Sequence, residues 1–261
     1  MVNWPIGRLE EEENLFLLKD DENILIDGAQ KMGINLHKEQ IKKFSRFLEL
    51  LVQWNQKINL TSLKTPKEII SKHFLDSISC IKAINKYINI EGISIIDIGT
   101  GAGFPGVPIK IVCPSISLSL LEARKKKTMF LKKIREEMSF RQVKILNGRA
   151  EAFGKCPDYR EKYDIAISRA VAPLSILCEY CLPLVRVGGL FIAQKGRSYN
   201  KETNKALKAV QLLGGELIGV ENLLIPFINQ KRYLLVIKKI KDTPSEYPRK
   251  VGLPQKRPLY F

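Results

Sequence analysis

The segment IIDIGTGAGFPG carries two overlapping glycine patterns, and either one could form a loop that holds a nucleotide-type cofactor. Gly101, Gly103 and Gly106 fit G-x-G-x-x-G, the fingerprint of dinucleotide-binding proteins. Gly99, Gly101 and Gly103, with Asp97 two residues ahead, fit D-x-G-x-G-x-G instead. A glycine loop between a buried strand and a helix exposes backbone N–H groups and lets a ligand approach the chain closely. Both patterns therefore predict a cofactor loop, but for different cofactors.

Asp97 favours the second pattern, because a carboxylate at the mouth of the loop repels a pyrophosphate and stabilises a cation. S-adenosylmethionine has no phosphate and carries a sulfonium and an ammonium group. Single-domain dehydrogenases of this size need a Tyr-x-x-x-Lys pair, and none of the eight tyrosines has a lysine four residues on. We therefore predict S-adenosylmethionine as the cofactor, held by Gly99, Gly101 and Gly103. Glu122, 21 residues after Gly101, is predicted to accept hydrogen bonds from the ribose hydroxyls.

Short apolar runs separated by helical stretches position this loop. The runs are rich in Ile, Val and Leu, as strands buried on both faces should be. Five of them occupy 93–98, 116–121, 143–146, 163–168 and 189–193. Two further strands, at 216–225 and 232–239, are predicted to pair antiparallel. The alternation predicts an α/β fold with a doubly wound, mostly parallel sheet.

Composition and charge divide the chain into four regions. Residues 1–23 hold seven acidic and two basic residues and are predicted to be a flexible acidic extension. Apolar residues at helical spacing predict a helical lobe over 24–90. The sheet and its helices fill 91–240, and the basic, proline-rich tail at 241–261 is predicted to lack regular helix. The net charge of +16 is the footprint of a polyanionic partner.

One predicted helix carries seven basic residues between positions 124 and 135. Its buried stripe is predicted at Phe130, Ile134 and Met138, so the basic residues must face solvent. Lys125, Lys126 and Lys127 on this helix are predicted to contact the phosphates of a nucleic acid. Arg197 is predicted to extend the same patch. A merely solvated face is the alternative.

Three polar side chains in the helical lobe each have two interpretations. His73, beside Asp76 in KHFLDSI, either makes a structural hydrogen bond or contacts the substrate. Asn55 and Asn59 in WNQKINLTS are either helix caps or base readers. The sequence leaves all three open.

No metal site and no membrane segment are predicted. Cys178 and Cys181 form a C-x-x-C within an apolar run, which favours buried small residues over metal ligands. Two histidines cannot support a typical metal site. Because no apolar run reaches the roughly 18 residues of a membrane span and no signal peptide is evident, we expect a cytoplasmic protein.

Seven motifs occur in one order along the chain and together carry a family resemblance. They are WNQKINLTS, KHFLDSI, IIDIGTGAGFPGVPIKI, LLEARKKKTMFL, GRAEAF, ISRAVAPL and YPRKVGLPQKRPL. Over roughly 26–258 the chain resembles the bacterial small-subunit rRNA guanine-N7 methyltransferases, also called the glucose-inhibited division protein B family. The resemblance implies a class I S-adenosylmethionine-dependent methyltransferase fold: a Rossmann-like sheet of seven strands, the last antiparallel, with an N-terminal helical lobe. It also implies methylation of N7 of one guanine in the decoding region of 16S rRNA, expected to be guanine 527 in the standard rRNA numbering.

Carried over residue by residue, the resemblance places cofactor contacts at Gly99, Phe104, the Ala150–Glu151 pair and Arg169. Glu151 has a second interpretation, an acid favoured at a helix start by the macrodipole. Guanine N7 offers a lone pair and no proton, so an attack on the methyl sulfonium needs no general base. We therefore predict in-line transfer by positioning alone, with no catalytic acid, base or nucleophile.

The predicted partner is 16S rRNA, either naked or within the 30S ribosomal subunit. Two alternatives stay open at this point. One is a methyltransferase that acts on another RNA, a protein or a small molecule, although the net charge of +21 outside residues 1–23 argues against a small or acidic substrate. The other is a non-enzymatic RNA-binding module, which the complete set of cofactor motifs disfavours.

Overall fold

The computed structural model describes residues 19–169, 171–197, 199–228 and 231–259. Most of the predicted acidic extension at 1–23 lies outside these ranges. None of the helices within them is long and apolar enough to cross a membrane.

A seven-stranded sheet forms the centre of the molecule, in the order β3-β2-β1-β4-β5-β7-β6. The strands are β1 Ser94–Ile98, β2 Ser117–Glu122, β3 Val143–Asn147, β4 Tyr163–Arg169, β5 Val185–Lys195, β6 Gly215–Leu224 and β7 Lys231–Lys239. Strands β1 to β5 are parallel, and β7 runs antiparallel to both β5 and β6. The predicted fold class is confirmed, and each predicted strand is present within a few residues of its predicted ends.

The two edges of the sheet differ, and we name them by the parallel strands. The amino edge is where β1 to β5 begin, and the carboxyl edge is where they end. Because Lys195 of β5 pairs with Tyr233 of β7, the start of β7 also lies at the carboxyl edge. Crossover connections of α/β sheets place ligand sites at the carboxyl edge.

Helices cover the sheet and build the N-terminal lobe. They are α1 Lys19–Lys31, α2 Lys38–Asn55, α3 Pro66–Ile69, α4 Asp76–Ile84, α5 Gly106–Val112, α6 Lys125–Glu137, α7 Ala150–Lys155, α8 Leu174–Cys181, α9 Tyr199–Leu212 and α10 Leu253–Lys256. A π-helical segment at Ile70–Leu75 joins α3 to α4. Helix α1 begins five residues before the predicted lobe, because Asp20, Asp21 and Glu22 in its first turn favour a helix start through the macrodipole.

Aromatic packing fixes the helical lobe on the sheet domain. The Phe47 ring of α2 lies 5.4 Å from Phe74, 5.2 Å from Phe104 and 6.4 Å from Phe130, measured between ring centroids. All four rings are buried. Since Phe104 follows the glycine loop and Phe130 belongs to α6, the lobe is held directly against the predicted cofactor region.

The C-terminal tail returns across α7 and α8. The guanidinium of Arg249 pairs with the fully buried carboxylate of Glu179 at 2.7 Å, and Arg160 donates to the carbonyl oxygens of Thr243 and Tyr247. The prediction that this tail lacks regular helix is wrong for one turn, α10. Pro254 occupies the second position of that turn, where a missing N–H costs no hydrogen bond.

Candidate cofactor and nucleotide site

A cavity of about 750 Å³ opens at the carboxyl edge, between the helical lobe and the sheet. Six parts of the chain line it: the loop after α2, the π-helical segment together with the first residue of α4, the glycine loop, the end of β4, the end of β5, and the start of β7. They contribute, among others, Thr61, Gly101, Arg169, Gln194 and Arg232. The position at the strand ends is where a doubly wound sheet binds its ligand.

The glycine loop has the backbone that the D-x-G-x-G-x-G pattern predicts. Gly99, Gly101 and Gly103 adopt φ values of +68°, +62° and +96°, a region that side-chain-bearing residues rarely enter. Gly106 is different, because it starts α5 with helical backbone. A Cβ there would lie 2.7 Å from Leu120, so Gly106 allows the helix to pack closely on the sheet.

The three loop glycines do not all face the cavity. A Cβ on Gly101 would have only the Lys127 Nζ at 3.7 Å and a backbone oxygen at 4.0 Å within contact range, so it would project into open space. A Cβ on Gly103 would instead lie 2.6 Å from Val107. Gly99 and Gly101 line the cavity, whereas Gly103 is needed for packing beneath the loop.

Asp97 lies beneath the loop and not at its mouth, where the sequence analysis places it. Its carboxylate is fully buried, and Oδ2 accepts hydrogen bonds from the Thr100 hydroxyl at 2.7 Å and the Gly106 N–H at 2.8 Å. Oδ1 has no partner among the described residues. Burial raises the pKa of Asp97 to about 6, against the two hydrogen bonds, which lower it.

Glu122 supports the loop from the end of β2. Its Oε2 accepts the Gly101 N–H at 3.1 Å, and its Oε1 accepts the Arg124 N–H at 2.8 Å. The neighbouring strand β3 ends beside it, where Asn147 Nδ2 donates to the Glu122 carbonyl oxygen. Ala150 begins α7 three residues later, so the predicted ribose and adenine contacts share the carboxyl edge.

Glu151 has a role that the sequence analysis missed. It is buried, and its Oε1 accepts the backbone N–H of Gly252 at 2.9 Å. The carboxylate predicted to meet the adenine therefore anchors the C-terminal tail beside the cofactor region. Gly252 adopts a φ of +81° and forms a turn in the tail. The glycine in the motif YPRKVGLPQKRPL is the sequence signal for this turn.

Arg169 and His73 meet over Phe104 on the wall of the cavity. The Arg169 guanidinium lies 5.1 Å from the Phe104 ring centroid, and the His73 ring stacks on the same ring at 4.4 Å. Burial first, and the adjacent guanidinium second, lower the pKa of His73 to about 3. His73 is therefore neutral. Arg169 can only donate, so His73 Nδ1 accepts at 3.2 Å and Nε2–H donates to Thr61 at 2.8 Å.

Asp76 is the centre of a polar network that the sequence analysis did not foresee. Its buried carboxylate accepts from Arg169 NH1 at 3.2 Å, Arg232 Nε at 3.1 Å and Gln194 Nε2 at 2.8 Å. Burial raises the pKa of Asp76, and the two guanidinium groups oppose that rise. Lys195 beside it pairs with Glu202 at 2.6 Å. Arg169, Gln194, Lys195 and Arg232 lie at strand ends of the carboxyl edge. Polar residues at these strand ends are the sequence signal that could have predicted the network.

The predicted RNA contacts lie on two parts of the same edge. Lys125 and Lys126 are exposed at the start of α6, and Lys127 is half-buried with its amine beside Gly101. Arg197 is exposed in the turn after β5. The predicted buried stripe of α6 is confirmed, since Phe130, Ile134 and Met138 are all buried.

Asn55, Cys178 and Cys181, which the sequence singles out, have structural roles. Asn55 Oδ1 accepts the N–H groups of Leu60 and Thr61 at 2.8 and 3.0 Å, so it caps the turn after α2. Cys178 and Cys181 are fully buried. Within the described ranges, no group of three His, Cys, Asp or Glu side chains could hold a metal ion.

The residues at this edge fit S-adenosylmethionine. Gly101 leaves open space that a side chain would fill, and the buried carboxylate of Asp97 beneath the loop places a negative charge that favours a cationic ligand above it. Gly99, Gly101, Phe104 and Arg169 line one continuous cavity.

Comparison with known proteins identifies the family. The GidB family model, rRNA small subunit methyltransferase G, matches residues 40–235. This chain belongs to that family. Ribosomal RNA small subunit methyltransferase G of Alkaliphilus oremlandii is 50% identical over 242 residues, which cover 93% of this chain and 99% of that protein. The protein of the same name in Acetivibrio thermocellus is 48% identical over 236 residues, 90% of this chain and 96% of its own length.

A solved structure agrees on the fold. The S-adenosylmethionine-dependent methyltransferase of Aquifex aeolicus matches with a TM-score of 0.50 over 66% of this chain and 93% of that chain, at 11% identity. The class I methyltransferase fold and the family resemblance are both confirmed. S-adenosylmethionine, the cofactor predicted from the sequence, is the methyl donor of this fold and family.

Proposed function

We propose that this protein transfers a methyl group from S-adenosylmethionine to N7 of a single guanine in the decoding region of 16S rRNA, guanine 527 in the standard numbering. Its membership of the rRNA small subunit methyltransferase G family carries the proposal. The substrate is 16S rRNA, naked or within the 30S subunit, in the cytoplasm.

The cofactor, when bound, supplies a methyl group on a sulfonium, and transfer to N7 forms a C–N bond as the C–S bond breaks, leaving a neutral thioether and a positive charge on the guanine. No proton leaves N7, because that nitrogen carries only a lone pair. The chain therefore has to bind, orient and exclude water, and its contribution to the rate is positioning.

The histidine and the carboxylate that line the cavity, His73 and Asp76, are already engaged in hydrogen bonds, which supports a transfer without a general base. His73 is neutral, but its Nδ1 accepts from Arg169 and its Nε2–H donates to Thr61. Asp76 accepts from two guanidinium groups and an amide. Neither group is placed to take a proton from a substrate.

The start of α6 supports an RNA substrate. Three lysines occupy its first turn, and no acidic residue accompanies them there. Cations at a helix N-terminus oppose the macrodipole at a cost of roughly 0.3–1 kcal/mol each. Residues that oppose a local preference, as these lysines oppose the macrodipole, are found mainly at functional sites. Phosphates that approach the start of α6 would meet Lys125 and Lys126, which are exposed, and Lys127, whose amine lies beside Gly101.

The proposal is tested by mapping the methylated nucleotide. Purified protein is incubated with tritiated S-adenosylmethionine and either 16S rRNA or 30S subunits that lack the modification. Reduction and aniline treatment then cleave the RNA at N7-methylguanosine. We expect one cleavage site, at the decoding-region guanine, and none with the Gly101→Val variant. Label on another atom or another base would contradict the proposal.

A further inference from the structure

Two guanidinium groups share one carboxylate on the cavity wall. Arg169 NH1 and Arg232 Nε donate to different oxygens of Asp76, at 3.2 and 3.1 Å, and the Asp76 side chain is only 3% exposed. Gln194 Nε2 donates to the same carboxylate. The single negative charge therefore holds two cations in place and neutralises one of them.

The two guanidinium groups differ in what they have left to donate. Arg169 uses NH1 on Asp76 and Ser77 and uses NH2 on His73. Arg232 uses Nε alone among the described residues, and its side chain lines the cavity with 21% of its surface exposed. Its NH1 and NH2, which form a rigid fork, are therefore available to a ligand.

The two lysines that line the cavity do not add to this excess of positive charge, because each is paired with a glutamate. Lys195 pairs with Glu202 at 2.6 Å, and Lys72 pairs with Glu68 at 2.7 Å. Among the residues that line the cavity, the positive charge that no described carboxylate offsets is thus located on the Asp76 network. A guanidinium fixed at its Nε with NH1 and NH2 unoccupied is suited to a planar, two-point contact with a phosphate or carboxylate.

Position separates Arg232 from the cofactor loop. Strands β4 and β5 lie between β1, which carries the glycine loop, and β7, which carries Arg232. Three strand spacings amount to about 14 Å. Arg169, on the strand next to β1, is the arginine nearer to the cofactor loop, so the anion that meets Arg232 is assigned to the other substrate.

The chemistry of the reaction selects a phosphate over the base. A guanidinium on the guanine would draw electrons from N7 and repel the positive charge that the ring acquires. A phosphate has neither disadvantage. We propose that Arg232, held by Asp76, binds the phosphate of the target nucleotide and so fixes the guanine in the cavity. This inference rests on the proposed function.

The test compares guanosine 5′-monophosphate with guanosine as probes. Each is titrated into the full-length protein saturated with S-adenosylhomocysteine, and binding is measured by calorimetry. We expect the wild type to bind the monophosphate roughly 10- to 100-fold more tightly, the range for hydrogen bonds to a charged group. The ratio should fall to about one in Arg232→Gln, and Arg232→Lys should retain part of it.

A matched control lies at the amino edge. Arg186 also donates Nε to a carboxylate, that of Asp164 at 2.7 Å, so Arg186→Gln removes a similar pair far from the cavity and should leave the ratio unchanged. Affinity for S-adenosylhomocysteine should stay within about twofold in Arg232→Gln, which also verifies that the variant is folded.

Three results would overturn the inference. They are an equal affinity of the wild type for both probes, a ratio that survives in Arg232→Gln, and a loss of S-adenosylhomocysteine affinity that would assign Arg232 to the cofactor. None of them bears on the mapped position of the methyl group. The proposed function fails separately, if the wild type methylates no guanine N7 of 16S rRNA.

Discussion

Each edge of the sheet holds an aspartate that pairs with arginine, but the two aspartates differ in the number of arginines that they contact. At the amino edge, Asp164 Oδ2 accepts from the N–H and the hydroxyl of Ser94, and Oδ1 accepts from Arg186. Burial alone would raise the pKa of Asp164, but these hydrogen bonds hold it below its ordinary value. One carboxylate meets one guanidinium, and the charges balance.

At the carboxyl edge the same kind of pair carries an excess of positive charge. Asp76 is shared by Arg169 and Arg232, and a buried acceptor on the cavity wall, Gln194 Oε1, has no partner among the described residues. Unsatisfied buried groups cost free energy, so a folded protein retains them where a ligand completes them. The comparison indicates that the amino edge serves stability and the carboxyl edge serves binding.

Stability should separate the two aspartates most strongly. Asp76→Asn leaves two guanidinium groups on the cavity wall without a counter-charge, and we expect it to lower the free energy of unfolding by about 3 kcal/mol or more. Asp164→Asn breaks a pair with a half-exposed arginine and should cost about 1 kcal/mol. Urea denaturation measures both. Equal losses would mean that the carboxyl-edge network is an ordinary structural pair.

Gly101→Val should weaken S-adenosylmethionine binding by at least about 100-fold, because it adds backbone strain and a branched side chain in the open space above the loop. Gly92→Val is the matched control. Gly92 has a similar φ of +70° at the amino edge and nothing within 4 Å of a Cβ. That variant should lose stability but keep its affinity for the cofactor. If calorimetry gives similar affinities for the two variants, the glycine loop is not the cofactor site.

Acidification should weaken cofactor binding through Asp97. The pKa of Asp97 is about 6, above the ordinary 3.8, so the free protein takes up a proton there as the pH falls through 6. A cationic cofactor favours the ionised form, so its affinity should fall by up to about tenfold per pH unit below pH 6. The measurement is the dissociation constant of S-adenosylmethionine between pH 4.5 and 7.

Two variants sharpen this prediction. Asp97→Asn should bind S-adenosylmethionine weakly and with little dependence on pH in that range, since no carboxylate titrates there. Asp164→Asn, at the amino edge, should keep the wild-type profile. A wild-type affinity that is constant from pH 7 to pH 4.5 would show that the charge of Asp97 does not stabilise the bound cofactor.

The lysines of α6 give a smaller effect with an unusual sign. Lys125→Glu with Lys126→Glu should weaken RNA binding and lower the slope of log K against log salt by about 0.7 for each phosphate that the protein no longer neutralises. The same change places acids at a helix start, so it should raise stability by roughly 0.3–1 kcal/mol per residue. Lys127 is left intact, because its amine lies beside Gly101.

The control for the lysines is again the amino edge. Lys144 and Lys162 are exposed there, and changing both to Glu alters the net charge of the protein by the same amount. The RNA affinity of this control variant should fall much less, because screening limits charges far from the bound RNA. If both double variants lose affinity equally, RNA binds through net charge and not through the start of α6.

The sequence predicts what is local and leaves out what depends on packing. The apolar runs and the glycine spacing predict all seven strands and the loop, because period and turn chemistry are written in neighbouring residues. The contact between Asp76 and Arg232 joins positions 156 residues apart, and no local pattern encodes it. Glu151 is similar, because its bond to Gly252 depends on how the tail returns across α7 and α8.

The central claim is that the carboxyl edge positions the methyl donor and the guanine without moving a proton, and one measurement tests it most directly. The rate of methyl transfer is followed in a single turnover on 30S subunits, with cofactor and RNA binding saturated, between about pH 6 and 9. We predict a rate that changes by less than about twofold across this range. A rate that rises about tenfold per pH unit would reveal a general base and contradict the claim.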